Sequence, residues 1–201
     1  MKKSILFLFA LSFLNNVKAE WITPELLWKL GRVSDAQISP DGNSVVYNIR
    51  NFDVQLNKGN SDLWLYDFKL KTVRAIASDS SNETMPRWSS DGKKIYYLFD
   101  KGSSQIWSMN PHGSDKKQIS KTESDISNYG FSGDGKTVWM TMDVKLDNFL
   151  GKDKYPDLPK TTGKVYDDLM MRHWDSWADG NYSHVFVSQV NGDVLSTPVD
   201  L

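Results

Sequence analysis

The sequence contains no cysteine, so it builds no disulfide framework, no thiolate zinc site and no thiol nucleophile. It also lacks an excess of either charge: Lys and Arg number 24, Asp and Glu 25, and the formal net charge is -1. That balance gives no electrostatic reason to bind nucleic acid or an acidic membrane surface. Histidine is scarce. His112 falls in a turn, His173 on an expected helix face and His184 at the start of a strand, without metal-ligand spacing. Neither a metal site nor a cofactor is expected. The apolar run from Ile5 to Leu14 has ten residues, against about 20 for a membrane span. No Gly-x-Ser-x-Gly nucleophile elbow occurs. Gly130-Phe131-Ser132-Gly133-Asp134 comes nearest, but it ends in Asp and precedes a strand, so Ser132 reads as a turn residue. No catalytic residue is expected in this chain.

What is present starts with an address. Lys2 and Lys3 form a positive start, the apolar run follows, and Val17-Lys18-Ala19 puts small residues at the −3 and −1 positions. Residues 1–19 therefore read as a signal peptide cut after Ala19, and the mature protein as periplasmic or secreted. Cleavage removes Lys2, Lys3 and Lys18 and no acid, which leaves a net acidic chain without a membrane anchor. Residues 20–34 hold a short helix and linker: Thr23 is the N-cap, Pro24 the first helical position, and Glu25 an acid in the first turn.

From residue 35 to 201 the chain repeats. Ile38-Ser39-Pro40-Asp41-Gly42 is echoed by Trp88-Ser89-Ser90-Asp91-Gly92 and by Phe131-Ser132-Gly133-Asp134-Gly135. Ser39, Ser89 and Ser132 lie 50 and 43 residues apart. Each Asp-Gly, which tolerates positive φ, precedes a strand-like run: Val45–Ile49, Ile95–Phe99 and Val138–Met142. Third strands recur at Leu63–Tyr66, Ile106–Met109 and Val185–Val187, and short fourth strands at Val73–Ile76, Gln118–Ser120 and Val194–Ser196. Eight Trp, eight Tyr and nine Phe suit such β-structure. Four antiparallel strands every 40–50 residues or so read as β-propeller blades. The fold class is therefore all-β, a partial propeller of about three blades over 35–78, 84–121 and 126–201. A sandwich of independent hairpins is the alternative.

The third unit is stretched by an insert over 143–181. Lys145 to Lys160 is polar, carries Pro156 and Pro159, and reads as a loop. Lys164 to Trp177 reads as a helix, capped by Thr161 or Thr162. Val165, Leu169 and His173 share one face of it, and Tyr166, Met170, Trp174 and Trp177 the next. A long insert at the edge of a repeat array usually lies over a binding face.

The Thr23–Leu30 helix, the Ser-x-Asp-Gly turns and the blade period resemble the N-terminal, TolB-like propeller of exported serine peptidases of the prolyl oligopeptidase family. The run from Val165 to Gly180, followed by Ser183–Val187, resembles the dipeptidyl-peptidase V type. The resemblance implies a peptidase whose Ser, Asp and His sit in an α/β-hydrolase domain that this sequence does not contain. It implies a front piece of a longer protein, inactive alone, with peptides as its partner. In that family a pair of acids on an inserted helix holds the substrate's α-ammonium. Here the matching residues are Asp167 and Asp168, where the family has Glu, and their other reading is a favourable place at a helix N-terminus. Arg172 either binds a substrate carbonyl or pairs with Asp168 at i, i+4. Trp174 and Trp177 either line an apolar specificity pocket or pack the helix onto the blades. Two other functions compete: a non-enzymatic TolB-like propeller that binds a protein, and a glycan binder using exposed aromatics. The last requires tryptophans on the surface, whereas Trp64, Trp88 and Trp107 are expected to be buried.

Overall fold

Each Ser-x-Asp-Gly turn closes by the same hydrogen bonds. Ser39 Oγ donates to Asp41 Oδ1 at 2.6 Å and accepts from the Ser44 amide at 2.9 Å. Asp41 Oδ1 also accepts from the Asn43 amide at 3.1 Å. Ser89 with Asp91, and Ser132 with Asp134, repeat the set. The glycines sit at φ 72, 70 and 70°, where a Cβ is disfavoured. Because each carboxylate accepts these bonds in its charged form, all three acids are held below the usual range, Asp41 at about 2.

The computed structural model describes residues 21–169 and 171–201; the expected leader lies outside them. A short helix α1 (Pro24–Lys29) comes first, with Thr23 Oγ1 accepting from the Leu26 amide at 3.1 Å. Trp28 meets Phe52 edge-on, with ring centroids 5.4 Å apart. Blade 1 follows as β1 (Arg32–Ile38), β2 (Ser44–Asp53), β3 (Lys58–Asp67) and β4 (Thr72–Ala77), paired antiparallel in that order. Blade 2 is β5 (Glu83–Trp88), β6 (Ile95–Asp100), β7 (Ser104–Met109) and β8 (Lys117–Gln118). Blade 3 begins with β9 (Ile126–Phe131) and β10 (Thr137–Lys145). After the insert, which carries α2 (Gly151–Lys154), β11 (Arg172–His173) and β12 (Ser176–Trp177), comes β13 (Asn181–Asn191). Its fourth strand is split into β14 (Val194–Leu195) and β15 (Val199–Asp200), both paired to β13.

The sheets stack face to face, and alternation within strands decides which side chains meet. Val46, Leu63, Leu65 and Ile76 of blade 1 bury against Ile95, Tyr97, Phe99 and Met109 of blade 2. On the other face of blade 2, Tyr96, Leu98, Ile106 and Ile119 bury against Ile126, Tyr129, Val138, Met140 and Met142. β6 is thus covered on both sides, which explains why Ile95-Tyr96-Tyr97-Leu98-Phe99 is apolar throughout while β10 alternates. Polar links tie the blades further. Arg87 pairs with Asp35 at 2.8 Å across the first strands of blades 1 and 2. Tyr129 donates to the Met85 carbonyl at 2.8 Å, and Asp193 of blade 3 holds Lys94 and Lys117 of blade 2.

Two expectations need correction. Residues 164–177 do not form the expected helix. Among the described residues, Lys164 is bridged to Leu150, residues 167–169 bend, and Arg172–Trp177 form the β11–β12 hairpin, while helix forms at Gly151–Lys154, inside the stretch expected to be a loop. A lone helix of that length is marginal in water, and these residues bond instead to the insert's outgoing arm. Trp64, Trp88 and Trp107 are half-buried rather than buried. Trp88 and Trp107 lie at the margin of the core between blades 1 and 2.

Candidate functional site

The insert leaves the end of β10 and returns at the start of β13, which pair in unbroken register from Thr137↔Gln189 to Lys145↔Asn181. The amides of Leu146 and Asp147 donate to the Gly180 carbonyl at 2.9 and 3.2 Å, closing the base. Gly180 has φ 86°, and a Cβ there would lie 1.8 Å from the Asp147 carbonyl oxygen. Only glycine fits. Farther out, the Val165 amide donates to the Phe149 carbonyl at 2.8 Å and the Gly151 amide to the Gly163 carbonyl at 2.7 Å. The two arms therefore zip together.

On this frame Tyr166 is the hub. Its ring packs on Phe149 at 4.8 Å and stacks on Trp177 at 6.0 Å, and its hydroxyl donates to the Ala178 carbonyl at 2.7 Å. A cavity of about 440 Å³ opens beside it, lined by Asp147, Lys154, Asp167, Asp168, Leu169 and Tyr182, among others. Tyr182 donates to Asp147 Oδ2 at 2.6 Å, which pushes its own phenol above the usual range. Asp167 is engaged by Lys154. Among the described residues, nothing engages the neighbouring Asp168 carboxylate, which also lines the cavity.

The five residues singled out in the sequence thus separate. Asp167 and Asp168 share one cavity. Arg172 does not pair with Asp168; its guanidinium lies 5.5 Å from the Trp177 ring centroid, across the β11–β12 pair. The i, i+4 geometry that a helix would have supplied is absent. Trp177 stacks on Tyr166 while staying 52% exposed, and Trp174, at the hairpin tip, is 86% exposed. Lys154, Tyr166, Tyr182 and Asp147 were not foreseen. No local pattern marks Tyr182, whose partner is 35 positions away.

The hollow among the blade turns is less suited to a ligand. It measures about 520 Å³ and lies among the turns of Ser89 and Ser132. Several of its polar side chains are already engaged: Arg87 by Asp35, Lys94 by Asp193, Ser89 by Asp91 and Ser132 by Asp134. Ser132 is thereby a turn residue. Among the described residues no three His, Asp or Glu side chains group to hold a metal ion; His184 Nδ1 lies 2.9 Å from Asp200.

Stacked four-stranded sheets, joined by repeated turns and pierced by an insert between the second and third strands of a blade, define a β-propeller chain. It belongs to the TolB beta propeller domain family, which matches residues 27–192. Among curated proteins it is similar to the dipeptidyl-peptidase 5 of Porphyromonas endodontalis, with 34% identity over 92% of this chain and 26% of the relative. The dipeptidyl-peptidase 5 of Porphyromonas gingivalis is 35% identical over 90% of this chain and 26% of its own length. The chain therefore spans about a quarter of these relatives. Among solved structures, an acylaminoacyl peptidase from Pyrococcus horikoshii superposes with TM-score 0.66 at 18% identity, over 91% of this chain and 27% of its own. TolB from Acinetobacter baumannii gives TM-score 0.52 at 19% identity, over 83% and 33%. These structures share the fold.

Proposed function

We propose that this chain is the propeller part of an exported serine peptidase that removes dipeptides from peptide N-termini. The observation that carries the reading is the 34% identity to a dipeptidyl-peptidase 5 along 92% of the chain. The insert cavity supports it chemically. A dipeptide-releasing enzyme must hold the substrate's α-ammonium, because that contact decides which bond meets the nucleophile. Asp168 is the acid for that task, since Asp167 is neutralised by Lys154. Arg172 and Trp177 brace the insert from within and so shape the cavity mouth. The nucleophile, its His base and its Asp belong to an α/β-hydrolase domain elsewhere in the complete protein, and reaction runs through an acyl-enzyme there. The propeller admits short peptides and excludes folded ones. Signal-peptide cleavage places the protein in the periplasm or outside the cell. Peptide is its partner, with no nucleic acid, membrane or cofactor required.

The test is the complete gene product assayed with a chromogenic dipeptide. Losing a hydrogen-bonded ammonium contact costs about 1.5–3 kcal/mol, or roughly 10–100-fold in kcat/KM. Asp168→Asn is expected to show that loss and Asp167→Asn less than about threefold. A wild-type protein that binds a protein partner but releases no dipeptide returns the reading to a non-enzymatic TolB-like propeller.

A further inference from the structure

Arg32 and Arg50 stand directly opposite each other across β1 and β2. Like charges so placed repel and destabilise a strand pair. Among the described residues, neither forms an ion pair. Arg74 and Arg87, by contrast, are engaged by the Pro111 carbonyl and by Asp35. What holds Arg32 and Arg50 is aromatic. The guanidinium carbon of Arg32 lies 4.3 Å from the Phe52 ring centroid and 5.4 Å from that of Trp28, and the Arg50 carbon lies 5.3 Å from Phe52. Arg50 also lies over Gly59, where a Cβ would come within 2.8 Å of its Nε. Stacking of this kind uses the flat face of a guanidinium and leaves its N–H edge free. Two exposed guanidiniums fixed on one ring without a counter-charge suit a carboxylate, whose two oxygens match the N–H fork.

The pair also stands in a defined place. Ile38, Asp91 and Asp134, one from each repeated turn segment, line one hollow, so the three turns gather at one end of the stack. Strand direction then puts the starts of the first and third strands, and the ends of the second, at the other end. Arg32 begins β1, and Arg50 lies near the end of β2. The insert leaves the end of β10 and returns at the start of β13. The two arginines and the cavity holding Asp168 therefore occupy the same end of the propeller. Blades 1 and 3 are two sheet spacings apart, about 20 Å, which about six extended residues span.

We infer that Arg32 and Arg50 form a carboxylate site that binds the free C-terminus of short peptide substrates. This rests on the reading that Asp168 takes the substrate's ammonium. A short peptide carries one charge of each sign at its two ends, and this end of the propeller offers an acid on blade 3 and two unpaired cations on blade 1. A peptide long enough to reach both is held at both.

The experiment follows dipeptide release by the complete protein, as wild type, Arg32→Gln and Arg50→Gln. The substrates are tripeptides and hexapeptides, each as the free acid and as the C-terminal amide. Wild type is expected to favour the hexapeptide acid over its amide by about fivefold in kcat/KM, the scale of an exposed ion pair. That preference shrinks as salt rises. For the tripeptide, too short to reach both ends, acid and amide differ by less than about twofold. Each variant is expected to bring the hexapeptide acid and amide within about twofold, and to melt at or above the wild-type temperature because the like-charge contact is relieved. No acid preference in wild type, the same preference at both lengths, or equal losses on acid and amide in the variants overturns the inference. A lower melting temperature in the variants assigns the arginines to a carboxylate elsewhere in the complete protein and also overturns it. In each of these cases a wild type that releases dipeptides leaves the dipeptidase reading standing, whereas a wild type that releases none overturns both.

Discussion

Glu83 opens the first strand of blade 2 and is only 1% exposed. Its carboxylate accepts from the Asp79 amide at 3.1 and 3.4 Å, and its own carbonyl accepts from Asn48 of blade 1 at 2.7 Å. Burial pushes its carboxyl from 4.5 up to about 7; the Asp79 amide and Lys116 oppose this, while Asp62 and Asp79 add to it. The folded chain therefore holds this proton more tightly than the unfolded one. The stability it contributes is complete below about pH 4.5 and is lost as pH rises through 7. The full displacement corresponds to a ceiling of about 3 kcal/mol; relaxation and water entry on ionisation reduce it to about 2. Glu83→Gln keeps the shape and cannot ionise. In urea unfolding of the complete protein from pH 5 to 8, the variant is expected to gain about 2 kcal/mol relative to wild type across that range. The acids held low, such as Asp41 and Asp193 at about 2, lose their contributions only as pH falls from about 4, and they cancel in the comparison. Parallel pH profiles for wild type and variant would refute the buried-proton argument.

Gly180→Ala sets a Cβ against the Asp147 carbonyl at a residue with φ 86°, so it is expected to cost more than about 2 kcal/mol and to open the base of the insert; an unchanged melting temperature would contradict this. The free faces of blades 1 and 3 show Val33 and Ile38, and Trp139, Val185 and Val199, each at least 40% exposed. Expressed by itself, the 201-residue chain is expected to self-associate in sedimentation experiments and to show no peptidase activity. A cooperatively melting monomer contradicts the first expectation, and turnover by the purified chain the second.

The blades were legible in the sequence because their signals are local. A Ser-x-Asp-Gly turn needs only its own atoms, and an alternating strand declares its two faces without reference to a partner. Even the apolar run Ile95–Phe99 reads as strand, although only the stack explains why both its faces are covered. The insert was not legible in the same way. Its apolar spacing at 165, 169 and 173 fits a helix, but the Leu146 amide donating to the Gly180 carbonyl and the Val165 amide donating to the Phe149 carbonyl tie the two arms of the insert together instead. Those partners are far apart in sequence and meet only because β10 and β13 are already in register. The same long-range closure decided which of two adjacent aspartates is paired and which tryptophan stacks on Tyr166. Residue types set the chemistry available to the site; the tertiary pairing of two arms chose which residues use it, because pairing fixes direction and distance, which spacing along a flexible chain does not.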